Sequence, residues 1–269
     1  IPELNVIQNA TTNSNGYAEF VIPLKKFTRW SDKNPKLYEV SISTSSDKIT
    51  DKIGFRQIAT KGSDILLNGE KVFLKGISIH EENVMRGGRA YSMEDAKVLL
   101  GWAKELGCNF VRLAHYPHNE NMARFADEMG MLIWEEIPVY WTIDWANEET
   151  YKKAETQLRE VISRDKNRAS VIIWSMANET PQSDDRLSFL TNLAKTTRSL
   201  DKTRLITAAL EDHPSEGDKN VMVIEDRFSD VVDIVSFNQY YGWYGGKIED
   251  LKNIRWEIDI DKPVIDSEF

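Results

Sequence analysis

The sequence holds one cysteine in 269 residues, Cys108. No disulfide can form within the chain, which excludes a small disulfide-stapled scaffold. Cys108 lies in Leu106-Gly-Cys-Asn-Phe-Val-Arg-Leu113, at the start of an apolar run, and reads as a small buried hydrophobe. No segment approaches the roughly 20 consecutive apolar residues of a membrane-spanning helix. An excess of positive charge is also lacking. Lys and Arg number 34 against 43 Asp and Glu, for a net charge of −9 and a pI near 5.1. That balance argues against nucleic acid or an anionic membrane as the main partner. No Gly-x-Gly-x-x-Gly follows the first strand of the repeating region, so a dinucleotide fold is disfavoured. No His-x-His or His-Glu-x-x-His occurs, which leaves a zinc hydrolase built on His80, His115 and Glu136 with little support. No signal-peptide pattern opens the chain. It begins mid-stride at Ile1-Pro-Glu-Leu, so its natural start reads as missing. A periplasmic or extracellular location is expected only if the source is bacterial.

What is present divides into two textures. Residues 1–60 are rich in Thr, Ser, Asn and Lys, with short alternating runs such as Tyr17–Ile22 and Leu37–Ser43. This is the pattern of antiparallel strands with one wet face. It is read as the end of a β-sandwich, with three or four strands. Residues 61–269 repeat strand, loop and helix. Candidate strands are Val72–Ile79, Phe110–Ala114, Leu132–Ile137, Val171–Met176, Leu205–Ala209, Ile234–Asn238 and Pro263–Ser267. Helical spacing fills the gaps. Ser92-Met-Glu-Asp95 predicts a capping box at a helix start, and Gly107 and Gly130 predict helix stops. Alternation of strands with helices implies a parallel sheet. Seven such units favour a (β/α)8 TIM-type barrel truncated after its seventh strand.

The strand ends carry unusual chemistry. They read His80-Glu81-Glu82, His115-Tyr116-Pro117-His118, Glu135-Glu136, Asn178-Glu179, Asn238-Gln-Tyr240 and Asp266-Ser-Glu268. A carboxylate at the end of a buried strand is costly unless paired or used. In parallel barrels the carboxyl ends of the strands are where active sites sit. Two carboxylates from different strands, Glu179 and Glu268, suit glycoside hydrolysis, in which one acid protonates the leaving oxygen and the other attacks or activates water. Other readings stand beside this one. Arg112 is equally a structural partner for Glu136 or Glu179. Glu81 and Glu82 are solvated, and His118 is a surface-loop histidine. Of Glu135 and Glu136 only one can point inward. Trp243, in a Gly-flanked aromatic loop, is a sugar-stacking wall.

These segments resemble glycoside hydrolase family 2, which holds β-galactosidases, β-glucuronidases and β-mannosidases. Ile53-Gly-Phe-Arg-Gln-Ile58 is similar to the family's junction between sandwich and barrel. Leu67–Gly76 followed by His80-Glu81 is similar to its first barrel strand, and Arg112-Leu-Ala-His-Tyr-Pro117 to its Arg-x-x-His-Tyr-Pro motif. Trp174-Ser-Met-Ala-Asn-Glu179 resembles the acid/base motif and Pro263-Val-Ile-Asp-Ser-Glu-Phe269 the nucleophile motif.

The resemblance implies an immunoglobulin-like sandwich at 1–60 and a catalytic barrel at 61–269. It implies Glu179 as general acid and then base, Glu268 as nucleophile, Asn178 on the sugar 2-hydroxyl and Tyr240 holding Glu268. His80, Arg112 and His115 would line the sugar subsite, with Glu136 as a supporting carboxylate. The expected activity is a retaining exo-β-glycosidase with carboxyl groups roughly 5–5.5 Å apart. Its partner is a carbohydrate with a terminal β-linked sugar. β-Galactosidase is the leading expectation, followed by β-glucuronidase or β-mannosidase. The metal-ligand motif of the best-known β-galactosidases is absent after Glu136, where Ile-Pro-Val-Tyr-Trp follows, so no metal or cofactor is expected. A non-catalytic carbohydrate-binding chain is the reading from another class, and the oligomeric state stays open.

Overall fold

A computed structural model describes residues 1–269. Its centre is a seven-stranded parallel sheet. A hairpin precedes it, formed by β1 (Tyr38–Ser43) and β2 (Lys48–Ile53). A three-stranded meander follows, β3 (Ile58–Lys61), β4 (Asp64–Leu67) and β5 (Glu70–Val72). The barrel then runs β6 (Gly76–Ile79), α1 (Met93–Glu105), β7 (Phe110–Leu113), α2 (Glu120–Met129), β8 (Leu132–Glu136), α3 (Glu148–Asp165), β9 (Val171–Asn178), α4 (Asp184–Leu200) and β10 (Leu205–Leu210). Short strands β11 (His213–Pro214) and β12 (Val221–Val223) come before β13 (Val235–Asn238). Another, β14 (Arg255–Trp256), comes before β15 (Val264–Glu268), and β11, β12 and β14 form a small side sheet. The barrel sheet has the order β6-β7-β8-β9-β10-β13-β15, every pairing parallel. Its two edges approach one another. The Ser78 hydroxyl on β6 donates to the Ser267 carbonyl on β15 at 3.2 Å, so the sheet is curled nearly closed.

All seven expected barrel strands form, with two adjustments. The expected first strand, Val72–Ile79, is split. Val72 ends the meander and only Gly76–Ile79 enters the barrel. β9 runs two residues further than expected, through Asn178, because that strand is buried along its whole length. The expected strand at Tyr17–Ile22 is absent. Strands exist by pairing, and this segment has no partner; Val21 is 90% exposed. Within residues 1–57 the regular structure is one short 3-10 turn and the β1–β2 hairpin. The β3–β4 hairpin spans residues 58–67 and so crosses the expected division at 60/61.

Period-2 alternation sorts the strand residues. Val111, Leu113, Ile133 and Val235 point outward and pack under the helices, with Leu99, Leu100, Leu158, Ile162, Leu190 and Leu193. Phe110, Leu132, Trp134, Ile172 and Ile234 fill the lower barrel and meet Trp30, Ile58 and Leu67 of the amino-terminal segment. That junction is also polar. Arg56 donates to the carbonyls of Ala169, Thr203 and Val171 at 2.6–3.0 Å. The Trp30 indole donates to the Asp127 carbonyl at 2.8 Å.

Helix ends follow the signals in the sequence. Ser92 and Asp95 form the reciprocal capping box at α1. Gly130 closes α2 with φ 74°, and a Cβ there would collide with the Asp32 carbonyl. Cys108 is buried and unpaired. No helix is long and apolar enough to cross a membrane.

Glu135 points outward on β8, toward α3. It is fully buried beside the Asp165 carboxyl, and no donor reaches either of its own carboxyl oxygens. Burial, then the nearby Asp165 carboxylate, push its pKa well above 4.5. The unfolded chain ionises Glu135 first as pH rises, so stability falls as pH climbs from about 4.5 toward the folded value. Glu135→Gln is neutral and nearly isosteric. Its urea midpoint is expected to match wild type near pH 4 and exceed it increasingly at pH 7–8. A midpoint difference that does not change with pH would refute this account of Glu135.

Candidate active site

Polar side chains gather where the strands end. β7 supplies Arg112, β8 Glu136, β9 Asn178 and Glu179, β13 Asn238 and Tyr240, and β15 Glu268. Arg112 lies at the centre and is 1% exposed. Its Nε donates to Glu136 Oε2 and its Nη2 to Glu136 Oε1, both at 3.1 Å. This two-point pairing matches the planar guanidinium to a carboxylate. The guanidinium also lies 4.9 Å from the centre of the Trp134 ring, whose indole N–H donates to Glu136 Oε2 at 2.8 Å. From this base Arg112 reaches up. Nη2 donates to Asn178 Oδ1 at 2.6 Å, and Nη1 donates to Asn238 Oδ1 at 3.3 Å and Glu268 Oε2 at 3.5 Å. His115 Nδ1 lies 2.7 Å from Glu136 Oε1 and 3.2 Å from Arg112 Nη2. Burial raises the Glu136 pKa, but Arg112 and His115 outweigh it and hold the carboxyl below its usual range.

The two expected catalytic carboxylates sit on one hydrogen-bonded chain. Asn238 Nδ2 donates to Glu268 Oε2 at 2.8 Å and to the Tyr240 hydroxyl at 3.1 Å. That hydroxyl donates to Glu179 Oε1 at 2.7 Å. Asn178 Nδ2 donates to Glu179 Oε2 at 3.3 Å. Tyr240 therefore holds Glu179, not Glu268 as expected. Glu268 is held by Asn238 and Arg112, while the Tyr240 side chain crosses to β9. Burial, the hydrogen bond to Glu179 and the charges of Glu179 and Glu268 all raise the Tyr240 pKa, so its hydroxyl stays protonated and donates. Both carboxylates are partly exposed, open to a ligand from above.

Two bulges aim these strand ends. β13 and β15 pair Phe237 with Asp266 but Asn238 with Glu268, one residue further on. The extra residue turns Glu268 to the inner face, where strict alternation would have placed Ser267. β9 carries a similar shift, pairing Thr207 with Ser175 but Ala209 with Asn178. Glu179 then adopts the left-handed conformation, φ 49°, its N–H bonded to the Ala209 carbonyl at 2.9 Å.

The remaining expected residues separate. His80 is exposed on the rim, its ring edge-on to His115 at 5.5 Å and its Nδ1 3.3 Å from the Tyr116 hydroxyl. Trp243 is not brought to the cluster. It is 78% exposed, on a loop that touches the site through Tyr244 against Tyr240. His118 is no surface histidine. It is 1% exposed, bonded through Nε2 to the Ala114 carbonyl and stacked on Tyr116, and burial pulls its pKa down to about 4. Glu81 is likewise buried rather than solvated, paired with Arg89 and the Asn119 N–H. No three His, Cys, Asp or Glu side chains converge as a metal-ligand set. Sequence reasoning missed the role of Asn238, although an amide ending a buried strand is the same signal as Asn178. It also missed Trp141, whose indole reaches Glu179 at 3.4 Å.

A family model described as glycosyl hydrolases family 2, TIM barrel domain, matches residues 58–269. This chain belongs to glycoside hydrolase family 2. The chain is 31% identical over 241 residues to a β-glucuronidase from Paenibacillus borealis, covering 81% of this chain and 38% of that protein. It is 37% identical over 188 residues to a β-galactosidase from Thermoanaerobacterium thermosulfurigenes, covering 67% and 25%. Among solved structures, a family 2 β-galacturonidase from Eisenbergiella tayi bound to galacturonate superposes with TM-score 0.74 at 29% identity, covering 88% of this chain and 43% of that one. The family 2 chain described here thus spans between a quarter and two-fifths of these two curated relatives.

Removing one partner of a buried ion pair leaves an uncompensated charge and costs about 3–5 kcal/mol. Arg112→Met should lose stability of that order, read as a lowered urea midpoint. Adding Glu136→Met should recover a large part of it while leaving the site without its central cation. A single variant as stable as wild type would show that the pair does not hold the site.

Proposed function

We propose that this chain carries the catalytic centre of a retaining exo-β-glycosidase. The observation that carries the reading is the hydrogen-bonded chain Glu179–Tyr240–Asn238–Glu268, built on the buried Arg112–Glu136 pair. In this reading a terminal β-linked sugar enters over Glu268. The Glu268 carboxylate attacks C1 while the Glu179 carboxyl gives its proton to the glycosidic oxygen, and the aglycone leaves as an alcohol. The product is a glycosyl ester on Glu268. Glu179, now ionised, takes a proton from water as the water attacks C1, which releases the sugar with its anomeric configuration retained and restores both groups. Arg112 and Asn238 hold and aim the Glu268 carboxylate. The Asn178 amide stands at the same mouth, where a sugar 2-hydroxyl would lie, and His80 and His115 wall the other side.

The sugar is the finer question. A β-galactoside is our first reading, supported by 37% identity to the T. thermosulfurigenes β-galactosidase. A β-uronide is the second. The P. borealis β-glucuronidase aligns over more of the chain, and the E. tayi β-galacturonidase superposes over most of it. Initial rates of the full-length protein on aryl β-galactoside, β-glucuronide, β-galacturonide, β-mannoside and β-glucoside decide between them. One substrate should dominate, with a β-configured first product by NMR. An α-configured product would overturn retention, and no turnover on any of the five would overturn the glycosidase reading.

The two roles are separable. Glu179→Gln should lower kcat/KM by about 10²–10⁴-fold for alkyl aglycones, which need protonation, and far less for dinitrophenyl aglycones, which do not. Glu268→Gln should abolish turnover for both. Equal losses across leaving groups in Glu179→Gln would contradict the assignment.

A further inference from the structure

The loop after β8 is tied to the end of β9 through its backbone. Asn178 N–H donates to the Val139 carbonyl at 2.9 Å, Trp141 N–H donates to the Asn178 carbonyl at 3.1 Å, and Tyr140 bridges to Asn178. Trp141 holds φ 56°, a left-handed conformation uncommon for a bulky side chain. Glu179, one residue past its backbone partner, is left-handed as well. Two neighbouring non-glycine residues thus share an unfavourable conformation, and in both the result is the direction of the side chain. The Trp141 indole N–H points to Glu179 Oε2 at 3.4 Å, the oxygen that Tyr240 does not hold and that also accepts from Asn178 Nδ2 at 3.3 Å. The indole is otherwise 64% exposed and packs edge-on against Tyr140, which in turn faces His115.

We propose that Trp141 positions the Glu179 carboxyl and forms the wall against which the leaving group rests. This depends on Glu179 being the general acid. A glycosidic oxygen that receives the Glu179 proton must lie within hydrogen-bond distance of that carboxyl. The first atoms of the aglycone then lie beside the indole. A flat, exposed indole suits an aryl ring or the C–H face of a second sugar. At 3.4 Å the hydrogen bond is long. Tyr240 would hold Glu179 at one oxygen, and Trp141 with Asn178 at the other, Trp141 from the side on which the aglycone arrives.

The test uses the full-length protein, with Trp141→Phe, which keeps an aromatic ring and drops the N–H, and Trp141→Ala, which drops both. The Glu179 carboxyl carbon, ¹³C-labelled, is titrated without substrate. Losing a donor to the ionised form should raise its proton affinity by about three- to tenfold in both variants. With wild type turning over, Trp141→Phe should lower kcat/KM several-fold for alkyl aglycones and less than twofold for dinitrophenyl ones, with KM unchanged. Trp141→Ala should in addition raise KM for aryl glycosides but not for the methyl glycoside. A merely structural role would depress all substrates alike and leave the titration in place. An unmoved Glu179 midpoint in Trp141→Phe overturns the positioning role even if wild type is fully active. A KM in Trp141→Ala that ignores the aglycone overturns the wall. Wild type inert on every glycoside overturns the glycosidase reading itself, and this proposal with it, while the titration still reports whether the hydrogen bond exists.

Discussion

A guanidinium with no access to water sits at the middle of this barrel, and the site above it is the solution to that burial. An isolated buried cation would be prohibitive. Arg112 is tolerable because Glu136 neutralises it at two points, Trp134 lies under its face, and the amide oxygens of Asn178 and Asn238 accept its outer N–H groups. Those same amides then turn their Nδ2 groups toward Glu179 and Glu268. The charge that must be satisfied for the fold to persist is thus the charge that orders the upper layer. Interactions of this kind strengthen in a site shielded from water.

The alternation of strand residues does most of the sorting, and its interruptions do the rest. On β8 the period of two sends Trp134 and Glu136 inward and Ile133 and Glu135 outward. One carboxylate of the Glu135-Glu136 pair therefore meets Arg112, and the other is trapped beside Asp165 under α3. On β15, strict alternation would have turned Glu268 to the wrong face, and a one-residue shift corrects this. β9 carries two such shifts, between Val171 and Ile173 against β8 and between Ser175 and Asn178 against β10. Such bulges leave no mark in composition or in a hydrophobic pattern.

Strain is concentrated at the rim. Two of the four left-handed non-glycine residues, Trp141 and Glu179, lie within one hydrogen-bonded contact of each other at the mouth of the barrel. Conformations of this kind persist where surrounding structure holds them and where side-chain direction matters more than local stability. The backbone ties between the β8 loop and Asn178 supply that hold.

The residue string by itself determined the order of strands and helices, the caps at Ser92 and Gly130, and the family. It also singled out Glu179, Glu268, Arg112, His115, Glu136 and Asn178, which the fold gathers into one cluster. Each of these rests on a local signal: a period, a turn residue, or a polar group ending an apolar run. Tertiary structure alone decided that Tyr240 serves Glu179, that Asn238 links the two carboxylates, that His118 is buried and Trp243 is not, and that no strand forms at 17–22. Those outcomes depend on which loops meet across the barrel mouth and on whether a segment finds a pairing partner. Residues 30 to 156 positions apart in sequence become neighbours only when the sheet curls, and no local pattern of side chains records that distance.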